Sequence, residues 1–245
     1  MVRQVSEAAG DAAVVGCAVA PPAADLPLPR LCENSSFVIV IDGIFYAAAL
    51  AGAGVLVRWL AGPWFAAPLW LLAAYCLYFF RDPYRPIPPG PVAVAPADGK
   101  VVAVKPEGPA VNRVSIFLNI FDVHVNRAPI GGLIAAVEYH PGRFHVASRE
   151  ACSTENERNI VTVEGPGSRV VFKQIAGLIA RRIVFNKKPG DRVSTGERVG
   201  LIKFGSRVDI LFGPEWEIAV RPGQRVAAGS SIIARRRDGV EAHGT

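Results

Sequence analysis

Within this 245-residue chain, a few residues carry chemistry by their type. Gly205-Ser206 lies between two apolar runs, VGLIKF and RVDIL, and taken alone the pair reads as a hairpin turn. Four histidines offer proton transfer near neutral pH: His124, His140, His145 and His243. His124 stands in DVHVNRAP, His140 and His145 flank the Pro-Gly turn of YHPGRFH, and His243 sits in a polar tail. Asp98, in ADGK, reads as an ordinary Asp-Gly turn. Arg181 and Arg182 follow the apolar run QIAGLIA, and Lys203 and Arg207 flank the Gly-Ser pair. These four are either solvated strand edges or cations for a phosphate or carboxylate. The four cysteines, Cys17, Cys32, Cys76 and Cys152, form no CxxC pair, so no metal centre and no oxidising compartment is expected.

The formal charge of +6 suits a partner bearing phosphate. Aromatic residues are not interleaved with the basic ones, so an anionic membrane surface fits better than nucleic acid. Hydrophobic residues make up 51% and mean hydropathy is +0.28, which excludes a disordered chain and places part of the sequence in lipid.

The elements that must position these residues fall into four stretches. Residues 1–36 are Ala- and Pro-rich and read as a loose N-terminal extension without a cleaved signal peptide. Residues 37–80 form an apolar anchor of one or two helices, in which Asp42, Pro63 and Pro68 leave a re-entrant or interfacial segment open. Residues 81–94 are a stiff Pro-rich linker, and residues 95–245 read as short strands separated by turn signals. KPGDRVSTG, from Lys188, recurs as RPGQRVAAG, from Arg221, at an interval of 33 residues. Such a duplicated hammerhead is the pattern of a barrel-sandwich of the biotinyl/lipoyl type, so the expected fold is mainly β. With a single Met, at position 1, a swinging-arm carrier has little support.

Several stretches in order resemble the phosphatidylserine decarboxylases, in particular their short prokaryotic form: FFRDPYRPIP, APADGKVV, IFDVHVNRAP, YHPGRF, ENERN, QIAGLIARRI and FGSRVDIL. The resemblance covers roughly residues 36–235. It implies a proenzyme that cuts itself between Gly205 and Ser206 into a membrane-associated β chain, 1–205, and a small α chain, 206–245, which stay associated as a heterodimer. Physical logic agrees, since a strained turn can set the Ser206 hydroxyl against the Gly205 carbonyl with no side chain in the way. An N-to-O acyl shift gives an ester, β-elimination leaves dehydroalanine, and hydrolysis yields a pyruvoyl group and ammonia.

The pyruvoyl cofactor, formed from Ser206, would take the amine of phosphatidylserine as a Schiff base and act as electron sink while CO₂ leaves. The product would be phosphatidylethanolamine. His124 aligns with the family's DxH and is the expected acid for the decarboxylation step, separable from self-cleavage. Asp98 matches a carboxylate that supports maturation. Longer relatives place a second histidine where this chain has Arg127, so the base for self-cleavage stays open. Substrate binding falls to Arg181, Arg182, Lys203, Arg207, His140 and His145. The expected setting is the cell membrane with the catalytic domain on the cytoplasmic side, and further oligomerisation is left open. The same chemistry on an archaeal-type ether lipid, and a membrane-tethered barrel-sandwich adaptor without activity, are the competing readings.

Overall fold

A computed structural model of the chain describes residues 38–145, 152–177, 182–203 and 205–237. The expected N-terminal extension, together with Cys17, Cys32, Arg181 and His243, lies outside them. Within the apolar stretch, β1 (Val38–Ile39) leads into α1 (Ile41–Ala61), and Gly62 turns the chain into α2 (Pro63–Phe79). Pro63 opens α2 at its first position, where no N–H is needed. Small residues let the two helices approach: Gly43 lies under Phe80 and Gly54 under the Trp70 indole, where a Cβ would collide. β2 (Arg81–Asp82) then pairs antiparallel with β1, and the Val40 N–H donates to the Phe80 carbonyl at 2.9 Å. Both ends of the helical hairpin are therefore clipped together. Its far end exposes Trp59 (82%) and Trp64 (87%) beside Leu60 and Phe65.

The rest is mainly β. The strands are β3 (Val92–Val94), β4 (Gly99–Pro106), β5 (Asn112–Leu118), β6 (Val125–Arg127) and β7 (Gly132–His140). After one helical turn, α3 (Cys152–Glu155), come β8 (Arg158–Gly165), β9 (Ser168–Ile175), β10 (Arg182–Phe185), β11 (Arg192–Val193) and β12 (Arg198–Lys203). β13 (Ser206–Phe212), β14 (Trp216–Ile218), β15 (Arg225–Val226) and β16 (Ile232–Arg236) complete the described chain. One curled sheet has the order β11-β7-β8-β9-β13-β5-β4-β15, and two three-stranded sheets run β10-β12-β6 and β14-β16-β3.

These orders are palindromic, and the hydrogen bonds show why. The repeated Pro-Gly turns supply the outer strands: the Gly190 N–H donates to the Ile134 carbonyl and the Gly223 N–H to the Val101 carbonyl. Val94 donates to Pro129 while Arg127 donates to Pro96. Bulges fall between Val101 and Ala103 against β5, and between Ile134 and Ala136 against β8. Two halves are thus related by a pseudo-twofold axis, and Ala95 and Ala128 open equivalent segments 33 residues apart. The core between the layers is aliphatic and aromatic, with Ile116, Ile134, Phe172, Ile210 and Phe212 fully buried. Each such side chain contributes roughly 1.5–3 kcal/mol of burial.

Candidate active site

β12 ends at Lys203 in a three-stranded sheet and β13 begins at Ser206 in the large one, so Gly205 lies where the chain passes between layers. Gly205 makes the turn with φ +53°, a left-handed conformation that costs an L side chain about 1–2 kcal/mol. Ser206 then enters β13 opposite Leu118, on the same strand face as Val208 and Ile210. Its side chain is fully buried, and its Oγ has no hydrogen-bond partner among the described residues. Such an orphaned hydroxyl requires an explanation.

His124 supplies the neighbouring group. Its Nε2 accepts the Gly205 N–H at 3.2 Å, and its Nδ1 lies 2.9 Å from the Asp122 carbonyl. These two bonds assign the proton to Nδ1 and leave the Nε2 lone pair on the turn. Phe79, the last residue of α2, lies over the imidazole with ring centroids 4.3 Å apart. Burial under this lid pushes the His124 pKa down to about 4, against the smaller upward pull of Asp122, so the ring is neutral at pH 7. The hairpin base is further fixed by Tyr75, whose hydroxyl donates to the Ile120 carbonyl at 3.0 Å, and by Arg81 on the Phe121 carbonyl at 2.8 Å.

The other sequence candidates scatter. Asp98 accepts Arg85 at 2.6 Å and the Ala228 N–H at 2.7 Å, with no hydrogen bond to His124 or Ser206 among the described residues. Burial raises its pKa, opposed by those two partners. Lys203 turns its ammonium to the hairpin base, 3.1 Å from Asp42 and 3.5 Å from the Tyr46 hydroxyl. This explains Asp42 in an otherwise apolar stretch: it sits in the first turn of α1, beside the β fold. Arg182 is exposed on the edge strand β10, opposite Lys203. His140, on β7, faces Glu138 at 3.6 Å and is separated from β13 by β8 and β9. His145 faces Glu155 at 3.0 Å, and its backbone is bonded to the Asn156 amide, which also donates to the Ala176 carbonyl just after β9. Arg207 is 1% exposed, and its guanidinium is engaged inside the protein by Asp209 and Ser115. Arg127 donates to Asp82 at 2.7 Å and to the Gly196 carbonyl at 3.1 Å, fastening the hairpin exit to the β fold.

Three features escaped sequence reasoning. Phe79 lay in the stretch FFRDPYRPIP, but nothing there marked its ring as the cover of His124. The fully or nearly buried amides Asn126, Gln174 and Asn159 bridge the layers, with Gln174 donating to Asn126 at 2.8 Å and Asn159 to Gln174 at 3.1 Å. Polar residues at inward positions of apolar strands were the available sign. The third is the Arg207–Asp209 pair.

Comparison with known proteins shows the family. The family model described as phosphatidylserine decarboxylase matches residues 72–234. A phosphatidylserine decarboxylase proenzyme of Solibacter usitatus is 73% identical over 200 residues, covering 82% of this chain and 98% of that protein. The proenzyme of Magnetococcus marinus is 47% identical over 175 residues, covering 68% of this chain and 80% of its own. That of Cupriavidus taiwanensis is 47% identical over 196 residues, covering 76% and 91%.

Proposed function

Because the chain belongs to the phosphatidylserine decarboxylase family, we propose that it decarboxylates phosphatidylserine at residue 206 after cutting itself between Gly205 and Ser206. The observation that carries this reading is the buried, unpartnered Ser206 Oγ one residue from a glycine whose N–H is held by a neutral imidazole. A buried hydroxyl left without a partner suits a group awaiting conversion rather than a packing role. The residues fit a pyruvoyl group at this position, whose carbonyl would draw electrons from the substrate Cα as CO₂ leaves.

His124 supplies both proton transfers. Arg127, at the place of the longer relatives' second histidine, is committed to Asp82 and is a cation, so it cannot accept a proton. Once the Gly205 N–H releases it, the Nε2 lone pair takes the Ser206 hydroxyl proton as Oγ adds to the Gly205 carbonyl carbon, and the amide nitrogen leaves with a proton as the ester forms. In turnover the same imidazole returns a proton to the carbon that has lost CO₂. Phe79 keeps water from the ring. Asp98 supports maturation indirectly, by holding Arg85 and the Ala228 N–H beside the Pro-rich stretch. Lys203 and Arg182 are the described cations for the lipid phosphate or carboxylate, with Arg181, His140 and His145 as outer candidates.

The pseudo-twofold hydrogen-bond pattern supports a barrel-sandwich catalytic domain over residues 95–245, tied by residues 81–94 to an anchor at 37–80. α1, at about 30 Å, and α2, at about 25 Å, match the hydrocarbon thickness. The exposed tryptophans at the far end suit insertion as a hairpin that enters and returns on one side. The active site would then lie at the membrane face, where the cell membrane presents its lipid headgroups to the cytoplasmic side. Full-length protein in phosphatidylserine vesicles should release CO₂ and form phosphatidylethanolamine, and Ser206→Ala should abolish both. Decarboxylation by that variant would overturn the assignment of residue 206.

A further inference from the structure

On the strand face opposite Ser206, a charged cluster is sealed inside the protein. Arg207 donates from Nε to Asp209 at 2.6 Å, from Nη2 to the Ser115 hydroxyl at 2.8 Å, and reaches the Cys152 sulfur at 3.8 Å. Asp209, wholly buried, also accepts the Ser153 hydroxyl at 2.5 Å and faces Arg113 at 3.7 Å. Arg113 in turn donates to Ser153 at 2.9 Å and lies 3.1 Å from Glu107. Such a cluster is a poor source of stability, because desolvation offsets most of the attraction and apolar residues of similar volume hold a fold at least as well. Its best-attested use is to fix register.

The other half of the molecule shows where this device is absent. Val208 lies opposite Ile116 just as Val170 lies opposite Val163, so Arg207 corresponds to Arg169 and Asp209 to Val171. Arg169 is exposed, and its described bond is made by its backbone N–H, to Glu215. Of these two equivalent strands, the one that begins at the cut carries the buried Arg–Asp pair.

Resting on the self-cleavage reading above, we infer that the Arg207–Asp209 cluster is a register lock for the new α-chain terminus. Before cleavage residue 206 is tethered through Gly205. Afterwards it is the end of a strand, and strand ends fray. A slip of one residue would turn Arg207 into the aliphatic core and Asp209 with it, so the cluster forbids the slip. It ties α-chain residues 207 and 209 to β-chain residues 113, 115, 152 and 153. Residue 206 is thereby held at Leu118 and beside His124, with the sub-ångström placement that catalysis needs. Arg207 is a positioning residue.

Removing both charges together, as Arg207→Met with Asp209→Leu, avoids stranding either one. The double variant should still cut at Gly205-Ser206, yet lose about tenfold or more in kcat with little change in KM. Hydrogen exchange at the amides of 207 and 208 should speed up in the cut protein and stay at the parent rate when Ser206→Ala keeps the chain uncut. Ser115→Ala, a milder change, should move both readouts in the same direction, and it serves if the double variant does not fold. Parent-like kcat and exchange in the cut variant would overturn the lock, as would exchange raised equally in the uncut background. A parent chain that never cuts would instead remove the self-cleavage reading itself.

Discussion

The two halves of the β fold contain the same dipeptide at the same place. Ser206 stands opposite Leu118 and Ser168 opposite Gly165, each two residues before the equivalent valines Val208 and Val170. Gly205 and Gly167 precede them with φ +53° and +63°. Their surroundings differ. Gly167 is exposed in the ordinary turn between β8 and β9, whereas Gly205 carries His124 on its N–H and Ser206 is sealed from water. The 33-residue interval that relates β3 to β6 puts Pro91 where the active half has His124. Backbone strain and a Gly-Ser sequence are therefore common to both turns. What distinguishes the turn proposed to react is a neutral imidazole, a phenyl ring over it and a strand held by buried charges.

The largest expected effect comes from making the active turn resemble its counterpart. His124→Ala should leave the bulk of the chain uncut on denaturing gels, with phosphatidylethanolamine formation down by the 10²–10⁴-fold typical of a lost general acid or base. A variant cut at the parent rate but inactive would separate maturation from turnover and restore to His124 only the later step.

Phe79→Ala should act more gently, through the imidazole. Losing a buried phenyl ring costs about 3–5 kcal/mol, and water reaching His124 raises its pKa from about 4 towards 6.5. Since cleavage needs the neutral ring, its rate should fall with acidity about a midpoint near 4 in the parent and nearer 6 in the variant. Stability follows the same sign. Folded His124 binds its proton less readily than unfolded His124, so stability drops as pH falls from about 6.5 to 4, by about 3 kcal/mol, and loses no more below that. Identical pH–rate midpoints in the two proteins would remove Phe79 from the site.

At the small end, Ser168→Ala should leave cleavage, turnover and melting temperature near parental values, because this side chain is part-exposed and its turn lacks the imidazole. A cleavage defect there would mean that the two turns are coupled.

Much of the site was legible in the sequence, and particular residues show where legibility ended. Gly205-Ser206 and His124 stood out because a motif order carried them, and the hammerhead repeat because its Pro-Gly turns recur at a fixed interval. The matching of Ala95-Pro96 with Ala128-Pro129 was readable at the same interval, but beyond this pair only Gly99, Ala103 and Val104 recur over residues 95–104, too little to notice without the hydrogen bonds. Gly167-Ser168 was hidden for another reason: its equivalence to Gly205-Ser206 follows strand register, at an interval of 38 rather than 33 residues, from 168 to 206. Arg207 read as a solvated strand edge or a cation for phosphate or carboxylate; Asp209, two residues on, shares its strand face, but nothing local announces Ser115 and Cys152 closing over it. Likewise, Asp42 read as an interruption of the anchor until Lys203, far along the chain, was found beside it.

Intact-mass analysis with peptide mapping of the purified full-length protein tests the central claim most directly, because both Gly-Ser turns are read in one measurement. The expected result is two chains, 1–205 and 206–245, with the smaller one lacking a free α-amino group and the 167–168 bond whole. A single 26.1 kDa chain that still decarboxylates phosphatidylserine, or a small chain beginning anywhere but residue 206, would contradict it.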